Sequence, residues 1–170
     1  MFAAVQRSAL TLERNVFLRL RSLSDSRLAK RARTQGLDPK PAHLVTGERG
    51  EDLAYFHLCK RGYTIVARRW HSARLNGDLD LVGWDGETLV IFEVKTRTAR
   101  DLAPAETAVN AAKQRTLGRM ATAYRRRLPE PWRDLVPLRF DVLSVYDLPA
   151  GPEFEHIPNA FPLTLRSHFA

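Results

Sequence analysis

Gly77-Asp78-Leu79-Asp80-Leu81-Val82-Gly83-Trp84-Asp85-Gly86-Glu87-Thr88-Leu89-Val90-Ile91-Phe92-Glu93-Val94-Lys95 is the stretch from which the fold can be argued. Asp85-Gly86 stands between two apolar runs, and Asp-Gly in that setting is a hairpin signal. Strands are therefore expected over 79–84 and 88–96. Leu89 to Phe92 is apolar at every position, as suits a central strand covered on both faces. A two-residue loop at Asp85-Gly86 would set Asp78 opposite Glu93. A four-residue loop over 85–88 would set Asp80 opposite Glu93 and Asp78 opposite Lys95. Strand side chains alternate with a period of two, so either register puts Asp78, Asp80, Glu93 and Lys95 on one face.

Three carboxylates on one face of adjacent central strands repel each other, and burying them without a counter-charge is costly. A bound cation resolves the conflict. Ligation by carboxylate oxygen selects a hard ion, Mg²⁺ or Mn²⁺. Lys95, two residues beyond Glu93, points the same way and suits the positioning of water beside a phosphate. The competing reading is a salt-bridge ladder with Lys95 as counter-ion, which the two-sided apolar run before Glu93 disfavours.

Outward from this hairpin, a helix is expected over 48–60, with Leu53, Ala54, Phe56 and Cys59 toward the core and Gly62 after its end. Tyr63 to Trp70 reads as a strand, Tyr63, Ile65 and Ala67 alternating against Thr64, Val66 and Arg68. Residues 104–127 read as a helix opened by Pro104 and closed by Arg125, Arg126 and Arg127. Leu138 to Tyr146 reads as a further strand. The predicted class is α/β, an αβββαβ core around a central mixed sheet. The domain is expected over 46–148, followed by a Pro-rich tail, 149–170, with at most a short edge strand near 154–157.

Residues 1–45 form a basic helical leader and linker. Phe2, Val5, Ala9, Leu12, Val16, Leu20 and Leu23 make one stripe, and Gly36 to Thr46, with Pro39 and Pro41, reads as the linker. The chain has 170 residues and a net charge of +8, a length suited to one domain. Nine Lys/Arg and three Asp/Glu give the first 45 residues +6, against +2 for the rest. The leader is expected to be dispensable for the fold. It reads as a basic helix that docks on the domain or on a polyanion such as nucleic acid, as a transit-type segment, or as a solvated tail. No apolar run has the length of a membrane span, so no membrane partner is expected. The single cysteine, Cys59, excludes an intramolecular disulfide and a cysteine-based zinc site, and fits a cytoplasmic location.

Gly50-Glu51-Asp52-Leu53-Ala54, Gly62-Tyr63, Gly77 to Val82, Phe92-Glu93-Val94-Lys95-Thr96-Arg97, Ala108-Val109, Lys113 and Arg139-Phe140-Asp141-Val142 together resemble the YraN-like family of bacterial proteins. That family is assigned by fold to the restriction-endonuclease-like PD-(D/E)xK nucleases. The resemblance implies that Asp80 and Glu93 bind the metal and that Lys95 is the catalytic lysine. Glu51 resembles the helix glutamate that completes many such sites. Asp78 stands where the family has Glu, and it is a further candidate ligand. Arg97 and Lys113 are candidates for contact with nucleic acid, DNA rather than RNA. The function these residues imply is metal-dependent phosphodiester hydrolysis, on DNA that could include branched or repair intermediates. The alternative is a non-catalytic nucleic-acid-binding module of the same fold, acting in repair or recombination. None of the five histidines has metal-ligand spacing.

Overall fold

A computed structural model describes residues 2–99 and 109–163, with side chains from Glu13 onward. Helices α1 (Phe2–Thr34) and α2 (Ala42–Lys60) precede three strands, β1 (Thr64–Ser72), β2 (Leu75–Asp85) and β3 (Thr88–Arg97). Helix α3 (Ala111–Arg125), the single turn α4 (Trp132–Leu135), β4 (Leu138–Leu148) and β5 (Gly151–Ile157) follow. The strands lie side by side in chain order; β3 and β4 are parallel and the other neighbours antiparallel. The β3–α3–β4 crossover is what a parallel pair requires. The result is the mixed α/β sheet with flanking helices expected of a restriction-endonuclease-like core, preceded by an additional N-terminal helix.

Alternation along β3 divides the core. Leu89 and Ile91 pack under α3 with Leu117, Met120, Ala121, Phe140 and Val142. Val90, Phe92 and Val94 pack under α2 with Leu53, Ala54, Leu58, Leu143 and Val145. Both faces of β3 are covered, which explains its unbroken apolar run. Two glycines permit close helix approach. A Cβ on Gly50 would lie 1.8 Å from Thr96 Oγ1, so α2 rests directly on β3 there. A Cβ on Gly77, whose φ is +109°, would lie 2.7 Å from Thr116 Cγ2 of α3.

Several expectations are corrected. Ala42 to Thr46 belongs to α2, not to a linker, since Pro41 is tolerated just ahead of a first turn. Helix α3 starts at Ala111, capped by the Asn110 side chain on the Lys113 amide; the expected part over 104–108 lies outside the described residues. The hairpin closes on the Asp85–Thr88 pair with Gly86 and Glu87 at the turn, Gly86 taking φ +57°. The turn has the two-residue length expected at Asp85-Gly86 but sits one residue later, and its register, Leu81 opposite Phe92, is the one expected from the four-residue loop, which aligns Asp80 with Glu93. A bulge at Val66 sends Ile65 under α2 and Ala67 under α3, so these two do not share a face. The segment after residue 148 is more than a tail. It supplies β5 and the buried Phe161, which stacks on Phe140 with ring centroids 4.9 Å apart.

The leader helix is joined to the domain. Phe17 lies against Phe56, ring centroids 5.7 Å apart, and Arg21 reaches α2. Val16, Leu20 and Leu23 of the predicted apolar stripe are instead exposed. A different side of α1 therefore makes the contact, because an arginine there meets a buried acid.

Candidate functional site

At one end of the sheet β2 parts from β3. The β2–β3 pairing ends at Leu81–Phe92, and Leu79 and Leu81, two apart, pack in opposite layers. The break falls at Asp80, opposite an interruption in β1 at Arg69, whose φ is +48°. Strict alternation therefore fails along β2. The Asp80 carboxylate takes the place of a ladder bond, accepting from the Val94 amide at 2.7 Å. Glu93 follows Ile91 on the α3 side of β3, two positions from Lys95.

A cleft of about 680 Å³ opens here, between the first turns of α2 and the start of α3. It gathers every candidate from the sequence: Glu51, Asp78, Asp80, Glu93, Lys95, Arg97 and Lys113. Asp80 and Glu93 are buried, at 9% and 2% exposure. Lys95 Nζ donates to Glu93 Oε1 at 2.8 Å. Lys113 Nζ lies 3.1 Å from Glu93 Oε2 and 4.0 Å from Asp78 Oδ1. Glu93 Oε2 is nonetheless buried without a directed hydrogen bond among the described residues, so its contact with Lys113 is Coulombic. Asp78 is half-exposed at the rim, too solvated to share the burial of the other two. A larger groove of 920 Å³ between α1 and β1 is lined mostly by apolar side chains, with Glu13 its only carboxylate. The chemistry points to the smaller cleft.

Electrostatics mark the same place. Burial first, and the Glu93 charge second, push the Asp80 carboxyl up to about 8. Burial also raises Glu51, against the pull of Arg69, whose Nε binds its carboxylate. Burial alone would lower the Lys113 ammonium, but Glu93 and Asp80 outweigh it and raise it. Two buried acids and two ammonium groups at hydrogen-bonding range make a site in which added positive charge is favoured at the carboxylates and added negative charge at the lysines.

Sequence reasoning missed four residues at the cleft and one polar cluster beyond it. Arg69 holds Glu51, and the adjacent pair Arg68-Arg69 within the expected strand was the available signal. His43, Thr46 and Gly47 line the cleft because α2 begins earlier than expected. Beyond the cleft, the buried Asp141 accepts from Arg139 at 2.8 and 3.0 Å, His156 at 2.9 Å and the Asn159 amide at 2.9 Å. That polar knot joins β4 to β5; nothing in the spacing of Asp141 and His156 announces it.

Comparison with known proteins gives the family. The family model described as "Uncharacterised protein family UPF0102" matches residues 50–145. The chain belongs to the UPF0102 family. It is 46% identical over 125 residues to the UPF0102 protein of Koribacter versatilis, covering 74% of this chain and 85% of that one. It is 43% identical over 115 residues to the relative from Solibacter usitatus, covering 68% and 84%. The relative from Porphyromonas gingivalis is 40% identical over 126 residues, covering 73% and 89%. The UPF0102 match spans every cleft residue named above except His43, Thr46 and Gly47, and leaves α1 outside it.

Proposed function

We propose that this protein is a Mg²⁺- or Mn²⁺-dependent nuclease that hydrolyses phosphodiester bonds of DNA in the cytoplasm, with the cleft at Asp80, Glu93 and Lys95 as its active site. The observation that carries this reading is the pairing of two buried acids, Asp80 and Glu93, with Lys95 2.8 Å from Glu93 at the open end of the sheet.

The residues fit a hard divalent cation. Asp80 and Glu93 would hold it; Glu51, bound by Arg69, and Asp78 line the same cleft. Among the described residues no three acids or histidines already form a closed cage. That suits an ion bound by one or two carboxylates and completed by water and substrate phosphate. The undirected Glu93 Oε2 is the oxygen such an ion would satisfy. A cation there supplies charge that offsets the growing negative charge on phosphorus. Lys95 donates a hydrogen bond that orients the attacking water, and Lys113 and Arg97 hold phosphate oxygens. The water oxygen bonds to phosphorus and releases a proton to solvent, the bond to the leaving strand's oxygen breaks, and that oxygen takes up a proton from solvent.

Charge distribution supports a nucleic-acid partner. Residues 109–129 contain Lys113, Arg115, Arg119, Arg125, Arg126 and Arg127 and no acid, so this segment is +6 in a domain (46–170) that totals +2. Among the described residues none of the five arginines forms an ion pair, whereas Arg21, Arg49, Arg68, Arg69 and Arg139 each do. Helix α3 thus carries unneutralised charge directly behind Lys113. No helix among the described residues is long and apolar enough to cross a membrane.

The reading is tested by incubating the full chain with labelled linear duplex, flap, junction and single-stranded DNA, and RNA, in Mg²⁺, Mn²⁺ or EDTA. Divalent-dependent cleavage of a DNA form supports it. Binding without cleavage in every condition favours the non-catalytic repair or recombination module instead, with the two lysines as permanent counter-ions of Glu93.

A further inference from the structure

Asp52 follows Glu51 on α2, but its carboxylate points inward and is fully buried. A carboxylate removed from water needs donors on both oxygens. Arg21 of α1 reaches Oδ2 at 2.5 Å, and Arg68 of β1 takes Oδ1. Arg21 also pairs with Glu48, one turn earlier on α2, and Lys40 supports that acid from the other side. Arg69 completes the group. Its Nε binds Glu51, its Nη2 donates to the Glu48 carbonyl at 3.0 Å, and the same Nη2 lies 3.8 Å from Asp52 Oδ1. The backbone of Arg69 is in the left-handed region, uncommon for a side chain of this size. Its guanidinium is thereby set between two successive acids, one facing the cleft and one facing the interior. Which acid it serves depends on how fully Asp52 is neutralised by other groups.

We propose that α1 is a positioning element for the cleft: by neutralising Asp52, Arg21 keeps Arg69 on Glu51 and so restrains that acid. Withdrawing Arg21 leaves buried Asp52 with Arg68 and the more distant Arg69. Arg69 then closes the 3.8 Å gap to Asp52, and Glu51 is released into the cleft as an uncompensated carboxylate. The cleft becomes more negative and binds a divalent cation more tightly. A partner that drew α1 off the domain would have the same effect. The consequence for cation binding rests on the active-site reading above; the exchange of Arg69 between Glu51 and Asp52 does not.

The test uses the full chain and two readouts. The Arg69 Nε–H signal in nitrogen NMR, assigned through Arg69→Lys, reports its partner. In the unmodified chain Glu51→Gln should shift that signal. In Arg21→Ala the same change should leave it unmoved. Arg21→Ala combined with Asp52→Asn should restore the response, since a neutral amide at that position does not recruit Arg69. Arg21→Gln, which keeps N–H donors without charge, replaces Arg21→Ala if the latter does not fold. Mn²⁺ affinity should rise about threefold to tenfold in the Arg21 variant, the effect of one nearby charge partly screened by solvent, and return in the double variant. Persistence of the Glu51–Arg69 coupling without Arg21 would overturn the proposal. If the unmodified chain binds no Mn²⁺, the cation reading of the cleft fails while the NMR coupling still decides the role of Arg21.

Discussion

At the scale of single residues, two buried aspartates should respond to pH in opposite senses. The folded-state carboxyl of Asp80 is raised to about 8 by burial and by Glu93. Its charged form is therefore disfavoured on folding, so its contribution is most favourable below the unfolded value near 4 and is lost as pH rises toward 8. Asp80→Asn should remove that loss, leaving the metal-free variant at least as stable as the parent at pH 8 in thermal melts with EDTA. The same variant, and Glu93→Gln, should abolish divalent-dependent cleavage, whereas Lys95→Ala should slow the chemical step and spare cation binding. Burial would also raise Asp141, but hydrogen bonds from His156, Arg139 and Asn159 outweigh it and hold it below its ordinary value. Its stabilising contribution is present above about pH 4 and is lost as pH falls through the lower folded value. Asp141→Asn should cost about 3–5 kcal/mol at pH 7, as expected for breaking a buried ion pair, and urea denaturation at neutral and acid pH checks both magnitude and sign.

At the scale of elements, the cleft depends on how closely α2 and α3 sit on the sheet. Gly50→Ala places a methyl into Thr96, and overpacking of this kind costs about 1–3 kcal/mol. Because Glu51 is the next residue, the variant should also alter Mn²⁺ affinity, which calorimetry beside a melt would show. The regular parts of these elements were legible in the sequence. The apolar run 89–92, the Asp-Gly turn signal and the period-two spacing of Glu93 and Lys95 located β2, β3 and part of the cleft lining. What was not legible came from local departures and long-range pairing. The bulge at Val66 and the positive φ of Arg69 change facing without changing composition. The break at Asp80 invalidates the alternation from which its facing was argued, and Asp80 reaches the cleft through the Val94 amide instead. The start of α2 was hidden by prolines that read as linker, and the side of α1 that docks is chosen by Asp52, 31 residues from Arg21.

At the scale of the whole molecule, a small acidic cleft lies beside a helix of one charge sign, and a helix outside the family match is bound through a buried acid. Replacing Arg115, Arg119 and Arg126 together by alanine should weaken DNA binding and reduce the slope of log affinity against log salt by about 2–3, if each neutralises one phosphate. An unchanged slope would place the nucleic-acid surface elsewhere. The function of the cleft turns on whether Asp80 and Glu93 hold a divalent cation. The most direct measurement is a Mn²⁺ titration, followed by calorimetry and by melting temperature, of the full chain and of its Glu93→Gln variant. The account predicts saturable binding and a Mn²⁺-dependent rise in melting temperature in the unmodified chain, both absent in the variant, with affinity increasing up to about tenfold per pH unit below pH 8 as Asp80 gives up its proton. No binding by the unmodified chain, or equal binding by both, would contradict it.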